Sequence, residues 1–340
     1  MQYSTFAAID IGSYDVILEI FEISKKQGIR SVDKICHRME LGKDTYTLGK
    51  IRPEMEEELC RVLADFVRIM EGYRVDAYRA MASSAISEAA NSLYVLGKIR
   101  QLTGLSVTVL SNSEQRFLGY KALAAMEDNF NKVIEKGTAI LDLDGGSFQI
   151  SLFDKDALVT TQNIRMGSLR VRERLAGIQS ETEHYEEMVE ELIWNEVSSF
   201  KKMYLKDRKI ENIMLIGDVF TDSVYQNIEE KTTKIISREN FNTWYEKIIR
   251  QSPMELAVKL GIPLENASLM YPSAVIYKCL IDMMEAEHVW IPGVHMTRGI
   301  AYEYAEQMKL QKGSHNFEND ILMAAKNIGK RYAVNRPHVQ

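Results

Sequence analysis

The stretch that decides the fold is LDLDGGSFQI, residues 141–150. Its apolar start, its Asp-Gly-Gly-Ser centre and its apolar end predict a strand, a glycine turn and a second strand. Successive backbone amides in such a turn form a concave surface that binds anions such as phosphate. The stretch therefore predicts a phosphate-binding turn at the end of a strand.

A second stretch, AAIDIGSYDVILEIFEI at residues 7–23, repeats this pattern near the N-terminus. Asp10 and Asp142 each stand at the end of the first strand of their repeat, and small residues follow both. A third strand is predicted after each repeat, and helices and strands alternate from there on. The recurrence predicts two similar lobes of the α/β class, with the two turns facing each other across a cleft.

The chain length supports two lobes. At 340 residues the chain is longer than the size at which a single core stops growing, about 250–300 residues. We expect a first lobe at residues 1–126 and a second lobe at residues 127–296. A helix at about 297–311 is expected to complete the first lobe, and residues 312–340 are expected to form a helical C-terminal extension.

Composition restricts the classes of function. Hydrophobic residues make up 46% of the chain and charged residues 26%, as in folded globular proteins and unlike disordered ones. The net charge of −6 disfavours nucleic acid as a partner, so local features must hold any phosphate-rich ligand. The sequence contains neither an apolar run of roughly 20 residues nor a signal-peptide pattern. We expect a cytoplasmic protein without a membrane partner.

The two turns point to a ligand. Opposed glycine turns can hold a chain of phosphates from both sides. Asp10 and Asp142 can hold magnesium, usually through water. One short glycine turn is weak evidence for a phosphate site, whereas a pair at matching places in two lobes indicates one.

Four stretches occur in the same order as the motifs of a known family. They are DIGSYD (10–15), ASSAISEAAN (82–91), SNSEQRF (111–117) and DLDGGSFQ (142–149). They resemble the Asp-x-Gly-Ser-Asn-Ser, Ala-Thr-Ser-Ala-x-Arg-x-Ala-x-Asn, Ser-Gly-x-Glu-Glu-Ala-Arg and Asp-x-Gly-Gly-Gly-Ser-Thr-Glu motifs of the Ppx/GppA family. This family comprises exopolyphosphatases and guanosine pentaphosphate phosphohydrolases of the actin-like ATPase superfamily. The resemblance implies two ribonuclease-H-like lobes with mixed sheets flanked by helices and an interlobe cleft.

The resemblance also implies roles for individual residues. Glu114 stands in the place of the catalytic glutamate that activates water, and Gln149 replaces a glutamate near the reacting phosphate. Asp10 and Asp142 would hold Mg²⁺. The residues implied in substrate binding are Gly12, Ser13, Ser84, Gly145, Gly146 and Ser147.

The chain departs from the family pattern at several positions. Ser87 stands where the family has arginine, which removes a charged contact to phosphate of about 1.5–3 kcal/mol per hydrogen bond. Asp15 and Asp144 add negative charge near the turns, and Phe148 adds bulk where the family has a small hydroxyl. Four arginines of the second lobe are expected to lie exposed at the surface: Arg165, Arg170, Arg172 and Arg174.

Two functions from different classes remain open. The first is Mg²⁺-dependent hydrolysis of the terminal phosphoanhydride of polyphosphate or guanosine pentaphosphate at a partly eroded phosphate site. The second is a non-catalytic binding or regulatory protein that retains the family fold. The resemblance further implies a homodimer, and residues 318–340 resemble the segment that leads into a helical domain in longer members.

Overall fold

The computed structural model describes residues 3–126, 130–155, 157–176, 185–205, 208–227 and 235–311, together with scattered positions further on. These residues form two lobes, each built on one β-sheet. The first sheet consists of β1 (Ser4–Ile11), β2 (Asp15–Ser24), β3 (Gly28–Arg38), β4 (Ala77–Ala82) and β5 (Val107–Val109). The second sheet consists of β6 (Thr138–Leu143), β7 (Phe148–Asp154), β8 (Ala157–Ile164), β9 (Asn212–Ile216), β10 (Ile235–Ser237) and β11 (His288–Trp290).

The two sheets share one topology. The first has the strand order β3-β2-β1-β4-β5, in which β1 pairs antiparallel with β2 and parallel with β4. The second repeats this order as β8-β7-β6-β9-β11, in which β6 pairs antiparallel with β7 and parallel with β9. Strand β10 adds an antiparallel edge beside β11. The predicted duplication and the mixed α/β sheets are confirmed.

Helices flank both sheets. Those in the first part of the chain are α1 (Leu41–Leu48), α2 (Pro53–Gly72), α3 (Ser84–Ser87), α4 (Ser92–Thr103) and α5 (Asn112–Met126). Those that follow are α6 (Phe130–Ile134), α7 (Ser168–Leu175), α8 (Tyr185–Phe200), α9 (Val219–Asn227), α10 (Arg238–Ile249), α11 (Pro253–Leu260), α12 (Leu264–Met284) and α13 (Met296–Gln307). A short π-helical turn, Lys201–Leu205, continues α8. Within the described residues, no helix is both long and apolar enough to cross a membrane.

Helix α2 shows how the sequence builds a layer of the first lobe. Pro53 at its first position has no amide hydrogen to leave unpaired, and Glu54 in the first turn suits the positive end of the helix dipole. Apolar residues recur every three or four positions and are buried against the first sheet: Leu59, Leu63, Phe66 and Met70. The sequence pattern of residues 53–72 predicts a helix over this range, and the structure confirms it from the first residue to the last.

Helix α13 carries the chain back from the second lobe to the first. It lies against β1 and α5, where Ile300 and Ala301 are fully buried in a cluster with Phe6. An ideal Cβ on Gly299 would lie 2.1 Å from the Leu118 carbonyl oxygen, so glycine is needed where α13 approaches α5. The first lobe thus draws on two separate segments of the chain. The lobe limits themselves stay predictions, and most of the expected extension at 312–340 lies outside the described residues.

The sequence pattern of residues 85–100 predicts one continuous helix, and this prediction is wrong. Helix α3 ends at Ser87 and α4 begins at Ser92. The side chain of Asn91 occupies the gap, where its oxygen accepts from the Ile51 amide at 3.0 Å and its nitrogen donates to the Ile51 carbonyl at 2.8 Å. These two hydrogen bonds hold Asn91 to a residue forty positions earlier in the chain and accompany the break between α3 and α4.

Candidate functional site

The two repeats meet at a cavity of about 280 Å³ between the lobes. Gly12 of the first turn and Gly145 of the second both line it. So do six aspartates: Asp10, Asp15, Asp142, Asp144, Asp218 and Asp222. The basic side chains at its wall are Lys34, Arg38 and His295. The excess of carboxylates makes the cavity a favourable place for a cation.

Each turn is closed by one backbone hydrogen bond at the same place in its repeat. The Gly12 amide donates to the Asp15 carbonyl at 2.9 Å, and the Asp144 amide donates to the Ser147 carbonyl at 2.9 Å. Asp10 and Asp142 stand one residue before the end of β1 and β6. The structure therefore brings these two predicted site residues to equivalent positions. The Gly12 amide, predicted to bind phosphate, is used to close its own turn.

Asp142 is a buried carboxylate with an unpaired oxygen. The residue is only 8% exposed, and its Oδ2 atom has no hydrogen-bond partner. Burial, followed by the charge of Asp144, raises the pKa of Asp142 to about 7. Burial also raises the pKa of Asp10 well above its ordinary value, with further contributions from nearby aspartates. A buried carboxylate of this kind either keeps a proton or binds a cation.

Asp144 links the two turns. Its Oδ1 atom accepts from the Gly145 amide at 2.6 Å, and its Oδ2 atom accepts from the Ser13 hydroxyl of the first lobe at 3.4 Å. Burial raises the pKa of Asp144 to about 6, while the Gly145 hydrogen bond acts in the opposite direction. A cavity carboxylate with a pKa this near to neutral pH can accept a proton from water.

Two other acids of the cavity have partners of their own. The Cys36 thiol donates to Asp15 Oδ2 at 3.5 Å. Asp222 Oδ1 lies 3.3 Å from Nε2 of His295. Burial lowers the pKa of His295, so the imidazole is held mainly in its neutral form near pH 7.

Three hydroxyl groups lie together beside the second turn, and we call Ser13, Tyr46 and Ser84 the hydroxyl cluster. Tyr46 Oη lies 2.7 Å from Ser13 Oγ and 2.8 Å from Ser84 Oγ, and the two serine oxygens are 3.2 Å apart. An ideal Cβ on Gly146 would lie 2.1 Å from Tyr46 Oη. The cluster therefore packs directly against the second turn. Ser13, Ser84 and Gly146, all predicted to bind substrate, surround Tyr46 instead of facing the open cavity.

Arg170 of α7 holds the hydroxyl cluster from the second lobe. Its guanidinium carbon lies 3.8 Å from the centre of the Tyr46 ring, and its Nε donates to the Gly146 carbonyl at 2.9 Å. Its Nη2 pairs with Glu88 of the first lobe at 3.0 Å. Because Glu88 follows Ser87, Arg170 brings positive charge beside the position where the family arginine is missing.

Arg172 forms a second ion pair between the lobes. Its two terminal nitrogens bind the two carboxylate oxygens of Glu40 at 2.8 and 2.9 Å. Arg172 is 14% exposed and Arg170 is 13% exposed. The expectation of surface exposure is therefore wrong for these two arginines, because acids of the first lobe neutralise them at the interface. It is confirmed for Arg165 and Arg174.

Replacing Arg172 with methionine is expected to lower the free energy of unfolding by about 2–3 kcal/mol, because Glu40 would lose its charged partner in a largely buried place. Arg165→Met is the matched control. Arg165 also pairs across the interface, with Glu88 at 3.0 Å, but its side chain is 67% exposed. We expect the control to cost less than about 1 kcal/mol. Urea denaturation measures the free energy of unfolding of both variants. Equal losses would contradict the view that the buried Arg172–Glu40 pair contributes more to stability than the exposed Arg165–Glu88 pair.

Comparison with known proteins shows the family. The sequence pattern of the Ppx/GppA phosphatase family matches residues 19–308. The chain belongs to this family. A bifunctional 3-dehydroquinate synthase/phosphatase of Fusobacterium nucleatum is 21% identical over 238 residues, 66% of this chain and 34% of that protein. Exopolyphosphatase 1 of Mycobacterium leprae is 25% identical over 144 residues, 42% of this chain and 41% of that protein. The chain thus spans about a third and about two fifths of these relatives' lengths.

Solved structures of Ppx/GppA proteins share the fold. The Aquifex aeolicus family member has a TM-score of 0.73 at 18% identity, covering 91% of this chain and 100% of that one. An exopolyphosphatase of Cytophaga hutchinsonii has a TM-score of 0.77 at 17% identity, covering 91% of this chain and 99% of that one. These likenesses confirm the two-lobed fold implied by the sequence motifs.

Glu114 does not reach the cavity of this Ppx/GppA protein. Its Oε2 atom accepts from the Ser111 hydroxyl at 2.7 Å and from the Ser111 amide at 2.8 Å, which forms a capping box at the start of α5. These hydrogen bonds lower the pKa of Glu114. It lines a separate pocket, whereas the next residue, Gln115, is 8% exposed and lines the cavity. The catalytic role of Glu114 stays a prediction that its position does not favour.

The second turn of the Ppx/GppA pattern is changed in two ways. Gln149 lies directly opposite Asp142 in the pairing of β6 and β7, is 2% exposed, and has its Oε1 atom 3.5 Å from Nη1 of Arg116. It is thus beside Asp142 but contributes no charge. Phe148, which stands where the family has a small hydroxyl, turns its bulk into the core of the second lobe and does not line the cavity. Ser147 is buried beside it.

The cavity fits a magnesium ion held through water. Asp10 and Asp142 provide carboxylate oxygens, and the unpaired Oδ2 atom of Asp142 lacks any other partner. Mg²⁺ commonly keeps several waters and is bound through one or two carboxylates. Across the part of the chain that the structure describes, no three His, Cys, Asp or Glu side chains converge to ligate a metal directly. Binding of Mg²⁺ through water is compatible both with the unpaired Asp142 oxygen and with the absence of a direct ligand cluster among the described residues.

Three residues of the site were missed by sequence reasoning, namely Tyr46, Arg170 and His295. Helix α1, which carries Tyr46, has eight residues and is too short for a clear apolar period. Arg170 is expected from the sequence to lie exposed, whereas the structure buries it at the interface. The replacement of the family arginine by Ser87 is a signal for it, because a phosphate site that lacks one cation needs another nearby.

Proposed function

We propose that this Ppx/GppA protein hydrolyses the terminal phosphoanhydride of inorganic polyphosphate or guanosine pentaphosphate in the cavity between its lobes. The observation that supports it is the meeting of two equivalent aspartate-bearing turns, Asp10 with Gly12 and Asp142 with Gly145, in one cavity. Such hydrolysis requires a positioned phosphate, neutralised charge and an oriented water.

Positioning and charge neutralisation use the two turns and the cavity wall. Mg²⁺, held by Asp10 and Asp142, would offset the charge of the phosphate oxygens. Lys34 and Arg38 at the wall add positive charge. The Gly145 amide now donates to the carboxylate of Asp144, so a phosphate oxygen that takes this amide would release the carboxylate.

We assign to the Asp144 carboxylate the role of activating the attacking water. It lies in the turn that contacts the phosphate, touches both lobes, and has its pKa raised to about 6. The released carboxylate would orient the attacking water and accept its proton as the anhydride bond breaks. This assignment replaces the expected role of Glu114 with a side chain that lines the cavity.

A second candidate function is phosphate binding without turnover. The observation that favours it is the pair of neutral amides at the reaction site, Gln115 at the cavity wall and Gln149 opposite Asp142. Neither amide can accept a proton from water. A protein of this kind would bind a phosphorylated ligand together with Mg²⁺ and respond by moving its lobes.

One experiment separates the two functions. Phosphate release is measured with Mg²⁺ from short polyphosphate and from guanosine pentaphosphate, for the unmodified chain and for its Glu114→Gln and Asp142→Asn variants. Release that Asp142→Asn abolishes would support hydrolysis in this cavity, and release that Glu114→Gln abolishes would support the role predicted from the sequence. Calorimetric binding of either ligand without release would support the second function. Neither binding nor release would contradict both proposals. Cytoplasmic location and a homodimer stay predictions from the sequence.

A further inference from the structure

The open mouth of the cavity is marked by those lining residues that are exposed to solvent. They are Lys34, Cys36 and Arg38 on β3 of the first lobe, and Gln226 on α9 of the second lobe. The other lining residues are buried or half-buried. A phosphate chain whose end lies at the two turns therefore leaves the cavity between β3 and α9.

Strand β3 places two cations at this mouth. Lys34 and Arg38 stand four positions apart on the strand, so their side chains lie on the same face. In the pairing of β3 with β2, Arg38 lies opposite Asp15, which itself lines the cavity. The first phosphates outside the two turns would thus pass beside this face of β3.

Of the two cations, Lys34 is the one available to a ligand. Arg38 donates to Oδ1 of Asn266 in the second lobe, and its guanidinium carbon lies 5.9 Å from the centre of the Tyr14 ring. These contacts hold Arg38 at the lobe interface. Lys34 forms neither an ion pair nor a hydrogen bond through its side chain within the part of the chain that the structure describes.

The charge of Lys34 acts inside the cavity. Burial and nearby aspartates raise the pKa of Asp10, and the Lys34 ammonium opposes them. Burial likewise raises the pKa of Asp15, and Lys34 is among the groups that act in the opposite direction. The ammonium therefore lies within electrostatic reach of the first turn, where a terminal phosphate and Mg²⁺ are expected.

We propose that Lys34 binds the phosphate that follows the terminal one, so that the protein recognises the end of a phosphate chain and leaves the rest outside. The inference rests on the proposed function, because it concerns the substrate of the same cavity. Six aspartates line this cavity, so a phosphate that Mg²⁺ does not neutralise requires a cation of its own. The substrate class is then any linear phosphoanhydride with a free terminal phosphate, whether more phosphates or a nucleoside follow.

The test measures phosphate release with Mg²⁺ from tripolyphosphate, long polyphosphate and guanosine pentaphosphate, with concentrations counted per chain end. The proteins are the unmodified chain and its Lys34→Met, Lys34→Arg and Arg30→Met variants. Methionine removes the charge but keeps an unbranched side chain, and arginine keeps the charge. Arg30 is the matched control, since it lies on the same strand but pairs with Glu22 and does not line the cavity. Thermal unfolding of each variant reports on folding.

We expect Lys34→Met to lower kcat/KM by about 10–100-fold, the contribution of a charged hydrogen bond to phosphate. The loss should lie mainly in KM, because the contact forms in the bound substrate as well as in the transition state. It should be equal for the three substrates, since all of them present a chain end. Lys34→Arg should recover most of the loss, and Arg30→Met should behave as the unmodified chain does.

A loss confined to long polyphosphate would overturn the assignment, because Lys34 would then contact phosphates far from the chain end. Equal kcat/KM in Lys34→Met and the unmodified chain would overturn it too, as would a loss that Lys34→Arg does not recover. These results would leave the proposed function intact, because the unmodified chain would still release phosphate. If the unmodified chain releases phosphate from none of the three substrates, the proposed hydrolysis and the role of Lys34 in it both fail.

Discussion

Asp144→Asn is expected to lower the rate of phosphate release by about 10²–10⁴-fold, the usual contribution of a positioned general base. Asparagine keeps the size of the side chain and can still contact Ser13, but it cannot accept a proton from water. The effect should appear in the turnover number more than in the affinity. The asparagine side chain can release the Gly145 backbone amide to a phosphate oxygen as readily as the aspartate side chain does. Steady-state kinetics with Mg²⁺ and short polyphosphate measure both quantities.

The dependence of the release rate on pH tests the role of Asp144 independently. The base must be ionised to act, so release by the unmodified chain should rise with pH through the raised pKa of about 6. Asp222→Asn is the matched control, since Asp222 lines the same cavity but pairs with His295. We expect less than about tenfold loss for this control. A rate that survives in Asp144→Asn, or a profile without the rise, would remove Asp144 from the chemistry.

Raising the pH from about 5 to about 8 without divalent cations is expected to destabilise the fold. The carboxyl groups of Asp142 and Asp144 have pKa values raised to about 7 and about 6, mainly by burial. An unfolded aspartate titrates near pH 3.9, so between about pH 4 and pH 7 the folded chain holds more protons than the unfolded chain. Stability is therefore present at low pH and lost as pH rises. Asp142 alone would account for roughly 2–4 kcal/mol.

Mg²⁺ should reverse this loss at about pH 8, because a cation that binds the ionised carboxylates favours the folded state. Melting temperatures recorded across the pH range, with and without Mg²⁺, measure the effect. Asp142→Asn should be more stable than the unmodified chain at high pH and should respond less to Mg²⁺. Asp65→Asn, at an exposed aspartate on α2, is the matched control and should behave as the unmodified chain does. A melting temperature that rises steadily from pH 5 to 8 without metal would contradict the prediction.

The fold was largely predictable because its strongest signals are local. The β1–β2 and β6–β7 hairpins follow from apolar runs on either side of a glycine turn, and α2 follows from its spacing of buried residues. Because the same hairpin pattern occurs twice in the sequence, it predicts two similar lobes. The interruption at Asn91 depends on a contact with Ile51, forty positions away, which no local pattern reports.

The site was predictable in part. Asp10 and Asp142 are fixed by their place at the ends of matching strands, so their meeting follows from the duplication. Glu114 was assigned by motif position, although Ser111 and Glu114 also form the Ser-x-x-Glu pattern of a capping box, and the structure shows that capping arrangement. The partners of Tyr46 come from three separate segments of the chain, so only the folded protein reveals them.

The return of α13 to the first lobe has a consequence for synthesis on the ribosome. The cluster around Phe6 and Phe21 includes Ile300 and Ala305, so it is incomplete when residue 126 emerges. At the usual 5–20 residues per second, synthesis of residues 127–296 takes on the order of 10–30 s. During that time the second lobe can close its own core. The lobe that begins the chain is thus the last to be completed, and an apolar face stays open to chaperones until α13 arrives.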